Sequence, residues 1–169
     1  AVTPLVAGKI EAGLSLDGLT NYIEGPDTGF PTGTSNRSMC VWAEVDSVAA
    51  GYAWPISYGD NAPGAAMFIG RNGSDLRVGG YANLTYDISV TGFWRPNEWR
   101  HICVTYDGTT ARVYAEGALL HSSARAWTLV SSGVWRIGRQ INNAAEYWQG
   151  TIDEIGIWNA TLSAPEVAA

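Results

Sequence analysis

The chain has 169 residues, enough for one well-filled domain and too few for two ordinary ones. Hydrophobic residues make up 46% and include eight Trp and eight Tyr, so the chain can bury a sizeable core and is not disordered. A formal charge of -6, with charged residues at only 15%, argues against nucleic acid or an anionic membrane surface as partner. No window approaches the roughly 18 consecutive apolar residues of a membrane-spanning helix. The chain opens Ala1-Val2-Thr3-Pro4 without Met, which reads as a processed or trimmed product.

Twenty glycines and many Thr, Ser, Asn and Val favour strands and turns over helices. Leu14-Ser15-Leu16 then Asp17-Gly18 reads as strand and turn, and Tyr22-Ile23-Glu24 as the next strand. In the strand Ser38 to Val45, alternation places Met39, Val41 and Ala43 on one face. Trp54 to Tyr58, Ala66 to Arg71, Asp75 to Val78 and Ala82 to Val90 form a middle section punctuated by glycines, at the spacing typical of sandwiches.

The strongest stretch runs from Glu98 to Gly108, with Ile102, Val104 and Tyr106 on one face and Asp107-Gly108 opening a turn. Ala111 to Ala115 and Ala118 to Ser122 continue it as a three-strand meander, linked by Glu116-Gly117. Val134 to Gly138 and Thr151 to Trp158 supply two more strands. Only the tail from Ser163 looks helical, with Ser163 and Glu166 spaced as a capping box. The pattern as a whole predicts one all-β, two-sheet antiparallel sandwich spanning residues 1–169. Cys40 and Cys103 both fall mid-strand, which favours buried free thiols; a bridge across two adjacent strands is the alternative.

Several segments together resemble one family. Gly8-Lys9-Ile10 to Leu14-Ser15-Leu16-Asp17-Gly18 with Asn21-Tyr22-Ile23 resembles the opening of laminin-G-like domains of the concanavalin A-like lectin/glucanase superfamily. Trp99-Arg100-His101 to Thr105-Tyr106-Asp107-Gly108, Val113 to Gly117 and Ile137-Gly138-Arg139 resemble later motifs. Gly150 to Ile155 with Leu162 to Val167 resembles the closing one. The resemblance implies a jelly roll with one concave sheet. The family's usual first strand is not evident before Gly8, so the chain is expected to be cut short there or completed by another segment. Glu116 stands where the family has Asn or Asp, at a position of a type I′ turn that needs φ > 0, at a cost of about 1 kcal/mol.

The same resemblance implies candidate sites. In similar domains the equivalent of Asp153 binds a structural Ca²⁺ with help from an N-terminal turn, here Asp17, Gly18 and Asn21. Alternation puts Asp153 on a face with Ile155 and Ile157, where a carboxylate must be metal-bound, paired or hydrogen-bonded; capping backbone amides or pairing with an Arg is the alternative. Glucanases of this fold carry Glu-x-Asp-x-Glu on one strand, for retaining chemistry between two close carboxylates. Glu44-Val45-Asp46-Ser47-Val48 lacks the second Glu, and no Ser-His-Asp grouping, phosphate loop or H-E-x-x-H is present, so no enzyme is expected.

Trp42, Trp99, Trp135 and Trp158 fall on strands and read as packing. Trp54, Trp94, Trp148, Tyr58 and Tyr147 fall in or beside loops rich in Gly, Asn and Asp. Sugar sites pair an aromatic face with side chains that reach hydroxyls, and Asp60, Asn61, Arg71, Asn142, Asn143 and Glu146 are candidate partners. The expected function is a non-catalytic, lectin-like module of a larger secreted or surface protein that binds a glycan or polysaccharide. The alternative is a structural or adhesive domain of a virion (phage) or surface assembly, contacting other chains of its parent. In either case an extracellular or surface-exposed location is expected.

Overall fold

The computed structural model describes residues 5–141 and 145–168. Thirteen strands and one short helix follow in chain order. They are β1 (Leu5–Ala7), β2 (Ala12–Asp17), β3 (Ile23–Pro26), β4 (Arg37–Val45), β5 (Tyr52–Gly59), β6 (Ala66–Asn72), β7 (Asp75–Gly79), β8 (Ile88–Val90), β9 (Arg100–Tyr106), β10 (Thr110–Ala115), β11 (Ala118–Ala124), β12 (Val134–Ile137), β13 (Gln149–Trp158) and α1 (Ala164–Ala168). A seven-stranded sheet has the order β1-β2-β13-β4-β9-β10-β11, and a six-stranded sheet the order β3-β12-β5-β6-β7-β8. Every strand pair is antiparallel, so the architecture is a two-sheet β-sandwich.

The core forms where the alternating apolar faces meet. Met39, Val41, Ala43 and Val45 of β4 lie beside Ile102, Val104 and Tyr106 of β9. Opposite them stand Ile56 and Tyr58 of β5, Met67 and Ile69 of β6, and Leu76 and Val78 of β7. All of these are buried. A short strand, β1, precedes Gly8 and pairs with β2, where the pattern had suggested none. The Glu116-Gly117 turn takes φ of 51° and 76°, so the Glu does adopt the left-handed conformation expected there.

One expectation is overturned. Cys40 and Cys103 are disulfide-bonded rather than free. They are direct register partners on the adjacent strands β4 and β9, with Cα atoms 4.0 Å apart, so both side chains rise from the same outer face. Their mid-strand positions are compatible with burial as thiols, but cross-strand register decides the chemistry, and register is not readable from either strand alone.

Candidate functional site

The outer face of the six-stranded sheet carries a cleft of about 210 Å³ lined by Tyr52, Trp54, Phe68, Tyr81, Ala82, Asp87, Gln140 and Glu146. Its geometry starts at Pro55. Proline cannot donate a ladder hydrogen bond, and the register of β5 against β6 shifts between Ala53 and Ile56, as expected for a strand proline sited at a bulge. The bulge lays the Trp54 indole over Gly70 of β6, where any Cβ would collide with the ring. Gly79 of β7 likewise leaves room for the Asp87 carboxyl, since a Cβ there would stand 2.7 Å from Asp87 Oδ1. Two glycines therefore flatten the floor, and larger residues roof it.

Four aromatic rings shape the cleft. Tyr52 and Trp54 are stacked at 10° with centroids 5.7 Å apart, and Phe68 meets Trp54 edge-on at 4.3 Å. Tyr52 is 44% exposed, so one ring of the stack is open to a ligand. The Trp54 indole N–H donates to Glu146 Oε2 at 2.5 Å, which fixes the ring and turns the carboxylate inward. Burial pushes the Asp87 carboxyl up to about 6, against the pull of the Tyr81 and Gly80 amides and of Arg77 and Arg125. Asp87 Oδ1 and Gln140 Oε1 are both buried without a protein hydrogen-bond partner. Arg77, Arg136 and Arg139 also hold one unpartnered nitrogen each. Arg77 lies on this outer face by alternation with buried Leu76 and Val78.

Three lining residues adopt left-handed backbone without being glycine: Tyr81 (φ 75°), Ala82 (φ 91°) and Glu146 (φ 60°). Each costs about 1–2 kcal/mol, and such strain gathers at binding sites. Beside the cleft, the Arg139 guanidinium lies 4.1 Å over the Tyr22 ring and 5.7 Å from that of Tyr147. Arg136 pairs with Glu24 at 3.0 Å. Stacked rings, inward carboxylates and unpartnered polar atoms on one face make a site suited to a ligand with both C–H faces and hydroxyl groups.

The residues proposed from sequence for a glycan disperse. Trp54 is in the cleft, though on a strand rather than in a loop. Tyr58 is in the core, 1% exposed, with its hydroxyl donating to Pro31 O. Trp94 and Trp148 are core residues meeting edge to face at 5.1 Å. Their indoles donate to the carbonyls of Gly70 and Glu44. Arg71 is buried and donates to Ala49 O at 2.7 Å, tying down the loop before β5. Asp60 and Asn61 sit in the β5–β6 turn, where Asp60 Oδ1 accepts from the Asn61 amide. That turn lies six residues along from Trp54, roughly 20 Å of strand. Asn142 and Asn143 lie outside the described residues. Glu146 lines the cleft. Tyr52, Phe68, Tyr81, Asp87 and Gln140 were missed; the bulge signalled by Pro55 and the small residues Gly70 and Gly79 were the available clues.

The residues proposed for calcium do not converge. Asp17 is the register partner of Gln149, four residues before Asp153 on β13. Asp17 Oδ1 accepts the amides of Leu19, Thr20 and Asn21 at 2.8–2.9 Å, and its Oδ2 accepts the Thr20 hydroxyl. Those bonds, Thr20 first, hold its carboxyl well below the usual range. Gly18 takes φ 72° inside this turn. Asp153 Oδ2 accepts the Ile10 amide at 2.8 Å and Oδ1 the Glu154 amide. The face assignment of Asp153 also fails, because β13 bulges between Asp153 and Gly156, with Glu154 at φ 46°. Ile152 and the partly buried Ile155 and Ile157 pack on the core, while Asp153 turns out to cap the β1–β2 turn. Among the described residues, no group of three or more His, Cys, Asp or Glu is placed to hold a metal ion. The four residues do not fit a shared calcium site.

Among the described residues, no helix is long and apolar enough to cross a membrane. No curated protein sequence matches the chain. Solved structures do. Domain 4 of AbnA, an extracellular arabinanase from Geobacillus stearothermophilus solved with arabinotriose, is similar at a TM-score of 0.74 and 18% identity, over 99% of this chain and 80% of that one. The binding domain of Paraclostridial Mosquitocidal Protein 1 gives 0.77 and 15%, over 98% and 44%. The Botulinum Neurotoxin serotype G binding domain gives 0.73 and 17%, over 99% and 44%, so this chain spans under half of either toxin domain. At these identities the likeness shows the fold, and the toxin structures are binding domains rather than catalytic ones. A laminin-G family model matches residues 17–168, nearly the whole chain, and the chain belongs to the concanavalin A-like lectin/glucanases superfamily.

Proposed function

We propose that the chain is a non-catalytic carbohydrate-binding module, and that its glycan sits in the cleft on the outer face of the six-stranded sheet. The carrying observation is the half-exposed Tyr52 ring stacked on Trp54, with the Glu146, Asp87 and Gln140 side chains beside it. A pyranose laid on Tyr52 turns its C–H side to the ring and its hydroxyls toward the polar side chains at the cleft wall. The cleft volume of about 210 Å³ lies below the roughly 300 Å³ of ordinary ligand pockets, so it suits one sugar unit of a longer chain. Arabinotriose bound to a domain of similar fold supports the ligand class. The Cys40–Cys103 disulfide suits an oxidising, extracellular setting.

A glycan-array screen of wild type and Tyr52→Ala, each with Ca²⁺ and with chelator, tests the reading. A reproducible hit in both buffers, lost in Tyr52→Ala, supports it. Silence across a broad array of folded protein, or a hit that Tyr52→Ala retains, refutes it and favours the assembly alternative.

A further inference from the structure

The opposite face of the molecule holds a second, larger groove of about 550 Å³, over the seven-stranded sheet and beside α1. Its floor follows from strand register. Asp153 of β13, Trp42 of β4 and His101 of β9 are consecutive partners in one row across the sheet, and the Glu116 amide donates to His101 O. The next row contains Gly156 and the Cys40–Cys103 disulfide. Gly156 has no side chain, so the Trp158 ring folds across it and stays 40% exposed. Val167 of α1 closes the far side against the disulfide. The groove thus runs between two indoles, Trp42 and Trp158.

Its charge is one-sided. Glu116, Glu154 and Glu166 all line it, and among the described residues none of the three is in an ion pair. Glu116 Oε1 accepts the His101 amide and Glu166 Oε2 accepts the Ser163 amide and hydroxyl, while Glu154 stands exposed at the left-handed bulge. Burial lowers the His101 imidazole below its usual range despite Glu116, which disfavours a positive charge beside the three glutamates. One cation has already found this surface. The Lys9 ammonium, carried by the β1–β2 turn, lies 4.6 Å over the Trp42 ring.

We propose that this groove is a second binding site, independent of the glycan cleft, for a small organic ammonium ion, with the Lys9 ammonium as its competitor for the Trp42 ring. An ammonium is attracted to the face of an indole, and most strongly where nearby carboxylates and excluded water reinforce it. The Lys9 side chain is long and unbranched, so its ammonium can rotate off the ring while the Ile10–Asp153 hydrogen bond keeps the turn in place.

The probe is tetramethylammonium, with tert-butanol as a neutral molecule of the same shape, followed by the indole N–H signals of Trp42 and Trp158 in NMR titrations. The expected result is saturable movement of both signals with the cation alone. Lys9→Ala, which removes the competing ammonium, tightens binding about two- to five-fold. Glu154→Gln, on an exposed side chain, weakens it. Equal movement with the alcohol overturns the proposal, as does absence of movement in both wild type and Lys9→Ala. Unchanged affinity in Lys9→Ala overturns the competitor role.

Discussion

Replacing Trp94 by Ala separates a packing role from a ligand role for a residue that sequence alone placed near the glycan. Trp94 is 1% exposed and meets Trp148 edge to face at 5.1 Å. Its indole N–H donates to Gly70 O at 3.1 Å. Truncating a buried Trp costs about 3–5 kcal/mol through lost transfer energy and the cavity left behind. Orphaning the Gly70 carbonyl adds about 1 kcal/mol, and the lost ring pair is worth about 0.5–1.5 kcal/mol within the cavity figure. A loss of about 4–6 kcal/mol in a chain of 169 residues lowers the melting temperature by roughly 8–24 °C. Calorimetry gives the melting shift, and a Trp94→Ala, Trp148→Ala double-mutant cycle gives a coupling of about 1 kcal/mol. Assayed well below its midpoint, Trp94→Ala should still bind the glycan that wild type binds. A variant with wild-type melting and no binding refutes this reasoning and returns Trp94 to a binding surface.

Four further outcomes follow from the same geometry. Asp153→Asn should lower the melting temperature equally with Ca²⁺ and with chelator, because Asp153 works by accepting the Ile10 and Glu154 amides; a loss confined to Ca²⁺ buffer would contradict that. Asp87 has its folded pKa raised to about 6 from 3.8, so the native state holds the extra proton between those values. Its contribution to stability is therefore full below about pH 4 and lost as pH rises to about 6, and Asp87→Asn should flatten that part of the melting-versus-pH profile. Asp17 has the opposite sign: its depressed carboxyl stabilises the fold above its unfolded pKa, and that support is lost as pH falls further. Reduction of Cys40–Cys103, which closes a loop of 63 residues, should cost about 4 kcal/mol; two titratable thiols in the unreduced protein would refute the bridge.

The fold was legible in the sequence because its signals are local. Alternation in β4 and β9 marked the buried faces, and Ser163 with Glu166 marked the capping box, whose bonds from the Ser163 amide and hydroxyl to Glu166 Oε2 are present. The sites were less legible because they depend on register and on interrupted alternation. The bulge at Glu154 moves Asp153 off the face that strict alternation assigns it. The bulge at Pro55 turns Trp54 outward, while Trp94 and Trp148, which flank Gly- and Asn-rich segments, are drawn into the core. The Cys40–Cys103 bridge and the Trp42–His101 row exist only once β4 is laid against β9. Burial of a large ring outweighs the polarity of the loop that carries it.

The central claim, that the glycan occupies the Tyr52–Trp54 cleft, is tested most directly by assigning the tryptophan indole N–H signals and titrating in the array's strongest ligand. Trp54 is held by Glu146 at the wall of the cleft, whereas Trp94, Trp127 and Trp148 are buried elsewhere in the core. The predicted result is a saturable shift of the Trp54 signal, absent in Tyr52→Ala, with the three core signals still. Movement of another indole while Trp54 stays fixed would place the glycan elsewhere and contradict the account.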